Sequence, residues 1–432
     1  MLRAISKTGF SVAMIVLNNV KNDIRVLKTA QSISDIGFDV HVFGVSFDRE
    51  QKKTTTEKVN GFKVTLIPNP RYELRSVIDK SHTWEYIIQG SLTNMWPLIK
   101  KIEPDVVHTH DLNTIRIGKE IAERIRTERR DVKWVHDLHE YVRGLDYSDS
   151  AIRDLSLNDE KNCIDSPDFL LTVSDTLARK LALDYKLSEA PIVVLNTPPK
   201  SNLVEGYGPT IREKLDIGGD PPLIVYSGGV SRARGIHTLV EAMPLIPEAQ
   251  VAIITDNTGE YIEELIDIAG RNDCLDRLHF TPYVEPHNIS NFIRGATIGI
   301  HPMLKFGNAD VAMPNKLFDY TLADIPIIVS DCPTMKEFVE RWGVGEVFVA
   351  GDPQSLSKSV NKVLGNIGHY RGNITSDFID LHSWEYNGQK LVDVYQKLLV
   401  SFSDSSDDNH SIAGEITDSS EGFLRGWIGG VG

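Results

Sequence analysis

The sequence predicts an α/β protein built as two Rossmann-like domains that face each other across a cleft. Three observations carry that reading. The chain has 432 residues, more than one ordinary hydrophobic core serves, so two domains are the natural expectation. Short apolar, β-branched runs alternate with stretches of helical length, which is the rhythm of βαβ units and a parallel sheet. That rhythm breaks once, over residues 196–222, where Pro198, Pro199, Pro209, Pro221 and Pro222 stand among glycines, and then it restarts.

Composition and charge narrow the function classes. With 41% hydrophobic and 25% charged residues, the chain is ordinary for a globular protein. Its longest apolar runs, such as 12–17, are too short to span a bilayer. The first ten residues contain no apolar core of signal-peptide length. Cys163, Cys274 and Cys332 are odd in number and widely spaced, which suits reduced core thiols better than disulfides or a metal cluster. A cytoplasmic protein is therefore expected. The net charge of −14 is uneven: residues 1–200 carry 29 Lys and Arg against 28 Asp and Glu, and residues 201–432 carry 17 against 32. An acidic second half argues against a nucleic-acid partner. Lys100-Lys101 and the basic run 124–130 read as solvated helix faces, so peripheral membrane contact is not indicated.

The first half opens with a strand at 11–17, a helix at 25–36 stopped by Gly37, and a strand at 40–45. The turn between the first strand and helix, Asn18 to Asp23, has no G-x-G-x-x-G, which speaks against a dinucleotide cofactor. In an open parallel sheet, ligands lie beyond the carboxyl ends of the strands. Asn22, Asp23 and Arg25 are therefore placed where a substrate can lie, and Asn22 or Asp23 can also cap the helix. A strand at 61–67 and a helix at 84–101 follow. The stretch 104–111 is a short buried strand running into a polar end with His108, His110 and Asp111, and the next strand, at 132–135, runs into His136, Asp137, His139 and Glu140. Two strands ending in His and acidic residues converge on one sheet edge, a stronger signal than a lone histidine. No H-x-x-x-H helix accompanies them, so no metal site is assigned. Strands at 169–173 and 192–195 complete the half.

After the break, strands are read at 223–226, 251–255, 278–280, 298–301, 325–330 and 347–350, with helices at 236–242, 260–269 and 286–294. The turn after the first of these strands holds Gly228, Gly229, Arg232 and Arg234. Adjacent glycines let an anion approach the backbone closely, and the two arginines can neutralise it. A second anion site is expected where a helix opens at Met313-Pro314-Asn315-Lys316. Pro314 suits a first helical turn, Asn308 or Asp310 can cap it, and the amides of Asn315, Lys316 and Leu317 with the Lys316 ammonium favour negative charge. One turn onward, the Asp319 carboxylate can accept hydrogen bonds from vicinal hydroxyls. A phosphate site followed by a diol acceptor suits a nucleoside diphosphate.

The last helix is read at 384–399. Beyond it, 401–411 is rich in Ser and Asp and reads as flexible. Phe423, Leu424, Trp427 and Ile428 form an apolar patch among glycines, suggesting the start of a further small module.

These motifs resemble the retaining glycosyltransferases of family 4, over nearly the whole chain to about Leu399. Asn22-Asp23-Ile24-Arg25-Val26 is similar to the family's N-D-x-R-V turn. Residues 105–112 (DVVHTHDL) resemble its D-V-V-H-x-H-D-L strand end, and Asp137-Leu138-His139-Glu140 its D-x-H-E. Tyr226-Ser227-Gly228-Gly229 with Arg234-Gly235 resembles the Y-x-G-G…R-G donor loop, and residues 314–320 (PNKLFDY) the P-N-K-L-F-E-Y helix.

The resemblance implies the GT-B architecture, with residues 1–200 as the acceptor domain, 201–380 as the donor-nucleotide domain, and 381–400 as a helix crossing back to the first. It implies transfer from a nucleotide-sugar donor to a saccharide, lipid-linked or protein-linked acceptor, with retention, no bound metal and no cofactor beyond the co-substrate. Arg234 and Lys316, with the amides of Gly228, Gly229 and Asn315, would hold the diphosphate, and Arg232 would add charge. Asp319 would hold the ribose and Tyr283-Val284 the base. His139 would contact donor sugar or acceptor, joined in the catalytic group by His110 and Asp310, with Asn22, Asp23, Arg25 and Asp111 on the acceptor side. Two departures stand out. The family's E-x7-E pair has Asp319 as its second member, and its first falls on Val311, with Asp310 one residue away. The frequent Arg of the donor loop is Gly229 here. The alternatives are a nucleotide-sugar 2-epimerase on the same fold and a non-catalytic nucleotide-sugar-binding partner.

Overall fold

The computed structural model describes residues 9–73, 80–128, 130–147, 149–203, 208–256 and 258–404. The first sheet holds β1 (Ser11–Ile15), β2 (Asp39–Val45), β3 (Thr55–Val59), β4 (Phe62–Ile67), β5 (Val106–His110), β6 (Lys133–Leu138), β7 (Phe169–Thr172) and β8 (Ile192–Val193). Their order is β3-β4-β2-β1-β5-β6-β7-β8. Every pairing is parallel except β3 with β4. The second sheet holds β9 (Leu223–Ser227), β10 (Gln250–Ile254), β11 (Leu278–Thr281), β12 (Ile298–His301), β13 (Ile327–Ser330) and β14 (Gly345–Phe348). It is wholly parallel in the order β11-β10-β9-β12-β13-β14. Leaving the added β3 aside, both sheets follow the doubly wound order in which the chain reverses direction beside its first strand.

Alternation along each strand explains the layers. In β9, Ile224 and Tyr226 pack into one apolar cluster and Leu223 and Val225 into another on the opposite face. A strand buried on both faces must be apolar throughout, and all five residues of β9 are buried. The cysteines are free and buried.

Several expectations change. Thr55–Val59 is a strand, yet its residues are largely exposed, so no apolar alternation announces it. Its signal is the Asn60-Gly61 turn, with φ of 46° and 106°, the primed geometry that joins hairpins. Helices Pro333–Trp342, Pro353–Gly365, Ile367–Gly372 and Ser376–Leu381 fill a region where the sequence reading placed only a strand. That strand, read at 347–350, is Gly345–Phe348. The final helix, Trp384–Asp404, includes Ser401 to Asp404, which were read as flexible; the rest of that run and the patch Phe423, Leu424, Trp427 and Ile428 lie outside the described residues. The helix begins against the first domain: Trp384 Nε1 donates to Ser32 Oγ at 3.0 Å and Trp384 N to Pro198 O at 2.9 Å. Among the described residues no helix is long and apolar enough to cross a membrane.

Helix Leu112–Thr127 deserves its precise seat, because the residue before it belongs to the site. Gly118 sets that seat: a Cβ there would lie 2.5 Å from Trp134 Nε1 and 2.6 Å from its Cε2, and the Trp134 ring is fully buried. Gly118→Ala is therefore expected to destabilise the fold by about 1–3 kcal/mol through overpacking, read as a lower urea midpoint at unchanged slope.

Candidate active site

Both switch points face one cleft. In the first domain β1 lies between β2 and β5, and in the second β9 lies between β10 and β12. Ligands of open parallel sheets sit outside the strand ends at such points. A cavity of about 410 Å³ lies there, reached by Arg25, Lys28 and His139 from the first domain and by Gly228, Arg234 and Lys316 from the second. That volume matches small-molecule sites.

The second-domain wall is cationic. Helix Asn315–Leu322 starts with Pro314 as its N-cap residue and has no side-chain cap. The Leu317 N–H, expected to be free, bonds to Pro314 O at 3.2 Å, leaving Asn315 and Lys316 to offer amides at the positive helix end. The expected caps are engaged elsewhere. Asn308 Oδ1 accepts from Tyr141 N at 2.9 Å, and Asp310 is exposed. The Lys316 ammonium lies 4.2 Å from the Tyr226 ring centroid, beneath Gly228. Gly228 has φ +123°, and a Cβ on it would come within 3.0 Å of Lys316 Nζ, so glycine is required there by backbone and space alike. Burial and then Arg234 push the Lys316 amine well below its ordinary range. Neither Arg234 nor Lys316 has a carboxylate in ion-pair range among the described residues. Arg234 is exposed and Lys316 half-buried, so both charges are open to an incoming anion.

Asp319 lines the same cavity. Burial raises its carboxyl to about 7 against the pull of Lys28, a Ser290 hydrogen bond of 3.4 Å and Lys316. Lys28 is itself brought down to about 7, by burial first and then by Arg25. Its Nζ donates to Asn196 Oδ1 at 3.0 Å and lies 4.4 Å from the Trp384 ring. Tyr283 is 39% exposed at the rim, its N–H donating to Asp256 Oδ1 at 2.8 Å. Val284 packs against the second-domain core instead of lining the cavity.

The first-domain wall is a buried charge network. Arg25 grips Asp137 with both arms, Nε to Oδ2 at 2.7 Å and Nη2 to Oδ1 at 2.8 Å, and donates Nη1 to Val194 O at 2.8 Å. His139 Nδ1 lies 2.8 Å from Asp111 Oδ1 and its Nε2 lies 3.2 Å from Asp137 Oδ2, the second contact off the line of a good hydrogen bond. Burial alone would lower the ring's pKa, but Asp111 and Asp137 hold it up to about 10. Ligand atoms of His108, His110 and Asp137 come within 4.8 Å of one another. The Arg25 guanidinium already covers both Asp137 oxygens, a charge arrangement that disfavours a divalent cation.

Besides Val284, several sequence-predicted residues stand apart from the cavity lining, Asp111 among them. Arg232 pairs with Glu264 at 2.6 Å and stacks over Tyr261 at 5.6 Å, and these neighbours hold it away from the cavity. Gly229 turns its carbonyl to Tyr226 Oη at 2.7 Å. His110 is fully buried behind the wall, stacked on His108 at 4.5 Å. Asn22 is exposed, and Asp23 caps its helix by accepting from Val26 N at 3.0 Å. Asp310, the expected substitute acid, is exposed and lies outside the cavity lining. Its carbonyl accepts from Thr334 Oγ1 at 2.6 Å, and Val311 beside it is 2% exposed, packs with the first-domain core and accepts from Ser174 Oγ at 2.8 Å. Sequence reasoning left Lys28 and Glu140 unassigned. Glu140 lies in the quoted D-x-H-E motif, whereas Lys28 reads only as one more helix lysine.

Comparison with known proteins agrees with this geometry. Residues 24–198 match the family described as Glycosyltransferase Family 4, and residues 209–374 match Glycosyl transferases group 1. The chain is 20% identical over 386 residues to an uncharacterised glycosyltransferase of Methanocaldococcus jannaschii, covering 85% of this chain and 92% of that one. It is 25% identical over 300 residues to a D-inositol 3-phosphate glycosyltransferase of Xylanimonas cellulosilytica, covering 64% of this chain and 68% of that one. Among solved structures, the fold is similar to sucrose-phosphate synthase from Thermosynechococcus elongatus, with TM-score 0.75, 16% identity and coverage of 91% and 100%. It is also similar to Anabaena HepE in complex with UDP, with TM-score 0.66, 12% identity and coverage of 90% and 100%. With one family match on each domain and the same two-domain fold throughout, the chain belongs to the family 4, group 1 glycosyltransferases of GT-B architecture.

Proposed function

We propose that this glycosyltransferase takes its sugar from a uridine diphosphate donor, retains the anomeric configuration, and needs no metal ion to release the diphosphate. The observation that carries the reading is the pair Arg234 and Lys316. Both reach the cavity without a carboxylate partner, beside Gly228 and an uncapped helix start. A departing nucleoside diphosphate develops charge on its phosphates, and fixed cations with amide donors stabilise that charge where a metal would otherwise do so. Asp319 lies three residues beyond Lys316 on the same helix and lines the same cavity, where it can accept from ribose hydroxyls, and Tyr283 offers an aromatic face at the rim. Uridine is favoured because Anabaena HepE is complexed with UDP and glucose, and a similar trehalose-6-phosphate synthase with UDP-2-fluoro glucose. Curated relatives are glycosyltransferases, which favours transfer over epimerisation or a non-catalytic role. The acceptor lies on the first-domain side, toward Arg25, His139 and Glu140.

The decisive experiment is a thermal-shift and calorimetric screen of nucleoside diphosphates, followed by NMR assignment of the product anomer. UDP is expected to raise the melting temperature by mass action, and chelation with EDTA is expected to leave turnover unchanged. No stabilisation by any nucleoside diphosphate would overturn the reading. Arg234→Ala and Lys316→Ala each remove a charge-assisted phosphate contact worth roughly 1.5–3 kcal/mol, so UDP affinity should fall about ten- to a hundredfold. Titration of Asp319 sets a pH dependence. Its carboxyl, raised to about 7, is neutral below that pH and ionised above it, and two ribose hydroxyls prefer the ionised form. UDP affinity should therefore strengthen as pH rises through about 7, and Asp319→Asn should weaken binding and flatten that rise, read by calorimetry between pH 6 and 8.

A further inference from the structure

The residue that joins β5 to helix Leu112–Thr127 makes two local sacrifices at once. Asp111 has φ +68° and ψ 158°, a backbone region that is essentially reserved for glycine. It occupies the N-cap position, where aspartate is among the best capping residues, yet its side chain makes no cap hydrogen bond. The helix start is served instead by main-chain and threonine contacts: Thr114 N donates to Asp111 O at 3.1 Å and Thr114 Oγ1 to His110 O at 2.5 Å. What the carboxylate gains in exchange is one contact, Oδ1 to His139 Nδ1 at 2.8 Å. Strain of this kind persists where the surroundings over-determine it, and such sites cluster at functional centres. The peptide of Asp111 is pinned as well, its N–H donating to Asp137 O at 3.0 Å.

Resting on the transfer reading above, we infer that Asp111 is a positioning residue: it clamps His139 through Nδ1 so that both ring nitrogens face carboxylates, and the histidine serves transfer as a fixed positive charge, not as a proton acceptor. A general base needs a free ring nitrogen within reach of the proton it takes. Here Nδ1 faces Asp111 and Nε2 faces Asp137, which Arg25 holds from behind. The remaining groups around the ring are His110, in edge contact at 5.7 Å, buried His136 and the adjacent Glu140. Glu140 in turn feels both His139 and Arg234, so the imidazolium belongs to the same stretch of cleft as the Arg234 guanidinium. Asp111 and Asp137 keep the ring protonated far above neutrality, in the sense that a fixed charge requires. His139 thereby presents a positive charge to the same cavity from the first domain, where it can act on the leaving group or the transferring sugar.

Two variants separate this role from a structural one. Asp111→Gly removes the carboxylate and relieves the backbone strain, so its melting temperature should equal or exceed that of the parent while kcat/KM falls on the order of tenfold to a hundredfold. Asp111→Asn keeps shape and a possible Nδ1–H acceptor but loses the charge. Its imidazole, followed by nitrogen NMR, should titrate at lower pH than the parent ring, and its kcat/KM should decline with rising pH earlier than in the parent. Superimposable His139 titrations, parental turnover in Asp111→Gly, or joint loss of stability and activity in Asp111→Gly would each overturn the inference. Absence of turnover in the parent chain would count against the transfer reading alone, and the ring titration would still decide the role of Asp111.

Discussion

The first-domain wall depends on the two-armed grip of Arg25 on Asp137. Both side chains are almost wholly buried, at 3% and 1% exposure, so the pair holds only because nearly every polar atom is answered. Removing one partner from such a pair costs roughly 3–5 kcal/mol, since the other is stranded in low dielectric. Three elements meet in it: the first turn of helix Ile24–Asp35, the end of β6, and the chain leaving β8 through Val194 O. The same Asp137 then faces His139. One buried carboxylate thus fixes the place of a helix, the approach to the interdomain connector, and the orientation of a ring that lines the cleft.

Much of the fold was legible because parallel sheets write a simple code. Fully buried strands are continuous apolar runs of β-branched residues, and β1, β2, β9 and β13 all read so. The Pro-rich break marked the change of domain for a local reason, loss of backbone donors and fixed φ. What escaped detection lacked that code. β3 is an exposed edge strand of Thr, Glu and Lys, visible only through its Asn-Gly turn. The helices between Pro333 and Leu381 are short, and their apolar positions interleave with Ser, Asp and Lys at intervals that a strand-seeking eye passes over.

The candidate site was legible in part, and the division is physical. Residues fixed by main-chain geometry, namely Gly228, Asn315 and Lys316, reach the cavity as their turn and helix types require. Side chains whose aim depends on the rest of the fold did not follow from spacing. Arg232 and Arg234 are two residues apart in one turn, and only the tertiary neighbours Glu264 and Tyr261 decide that Arg232 faces away. Asp310 and Val311 exchange expected roles for the same reason. The loop that carries them is bonded to the first domain through Asn308 and Val311, and a Cβ on Gly144 would meet Gly307 C at 2.4 Å, so the backbones touch and the loop is held with Val311, not Asp310, at the cavity. Lys28 carries no sequence signal at all; its meaning comes from Asn196 and Trp384, distant in the chain.

The charge balance explains why the phosphate site must be built from a few well-placed cations. Residues 201–432 carry 17 basic against 32 acidic side chains, so the domain that faces the diphosphate is, as a body, repulsive to it. At physiological ionic strength exposed charges are screened beyond about 8 Å, and part of that acidity lies on surface helices such as Glu260–Arg271. Inside the cleft the screening fails and proximity decides. Arg234, Lys316 and the amides of one helix start are a small fraction of the domain's charge, yet they converge on one cavity and no carboxylate of the described residues stands within ion-pair range of either cation. A domain can therefore be acidic overall and still hold a polyanion, provided its cations are left unpaired at one place. The first domain, nearly neutral as a whole, completes that place by presenting an imidazolium braced between two aspartates.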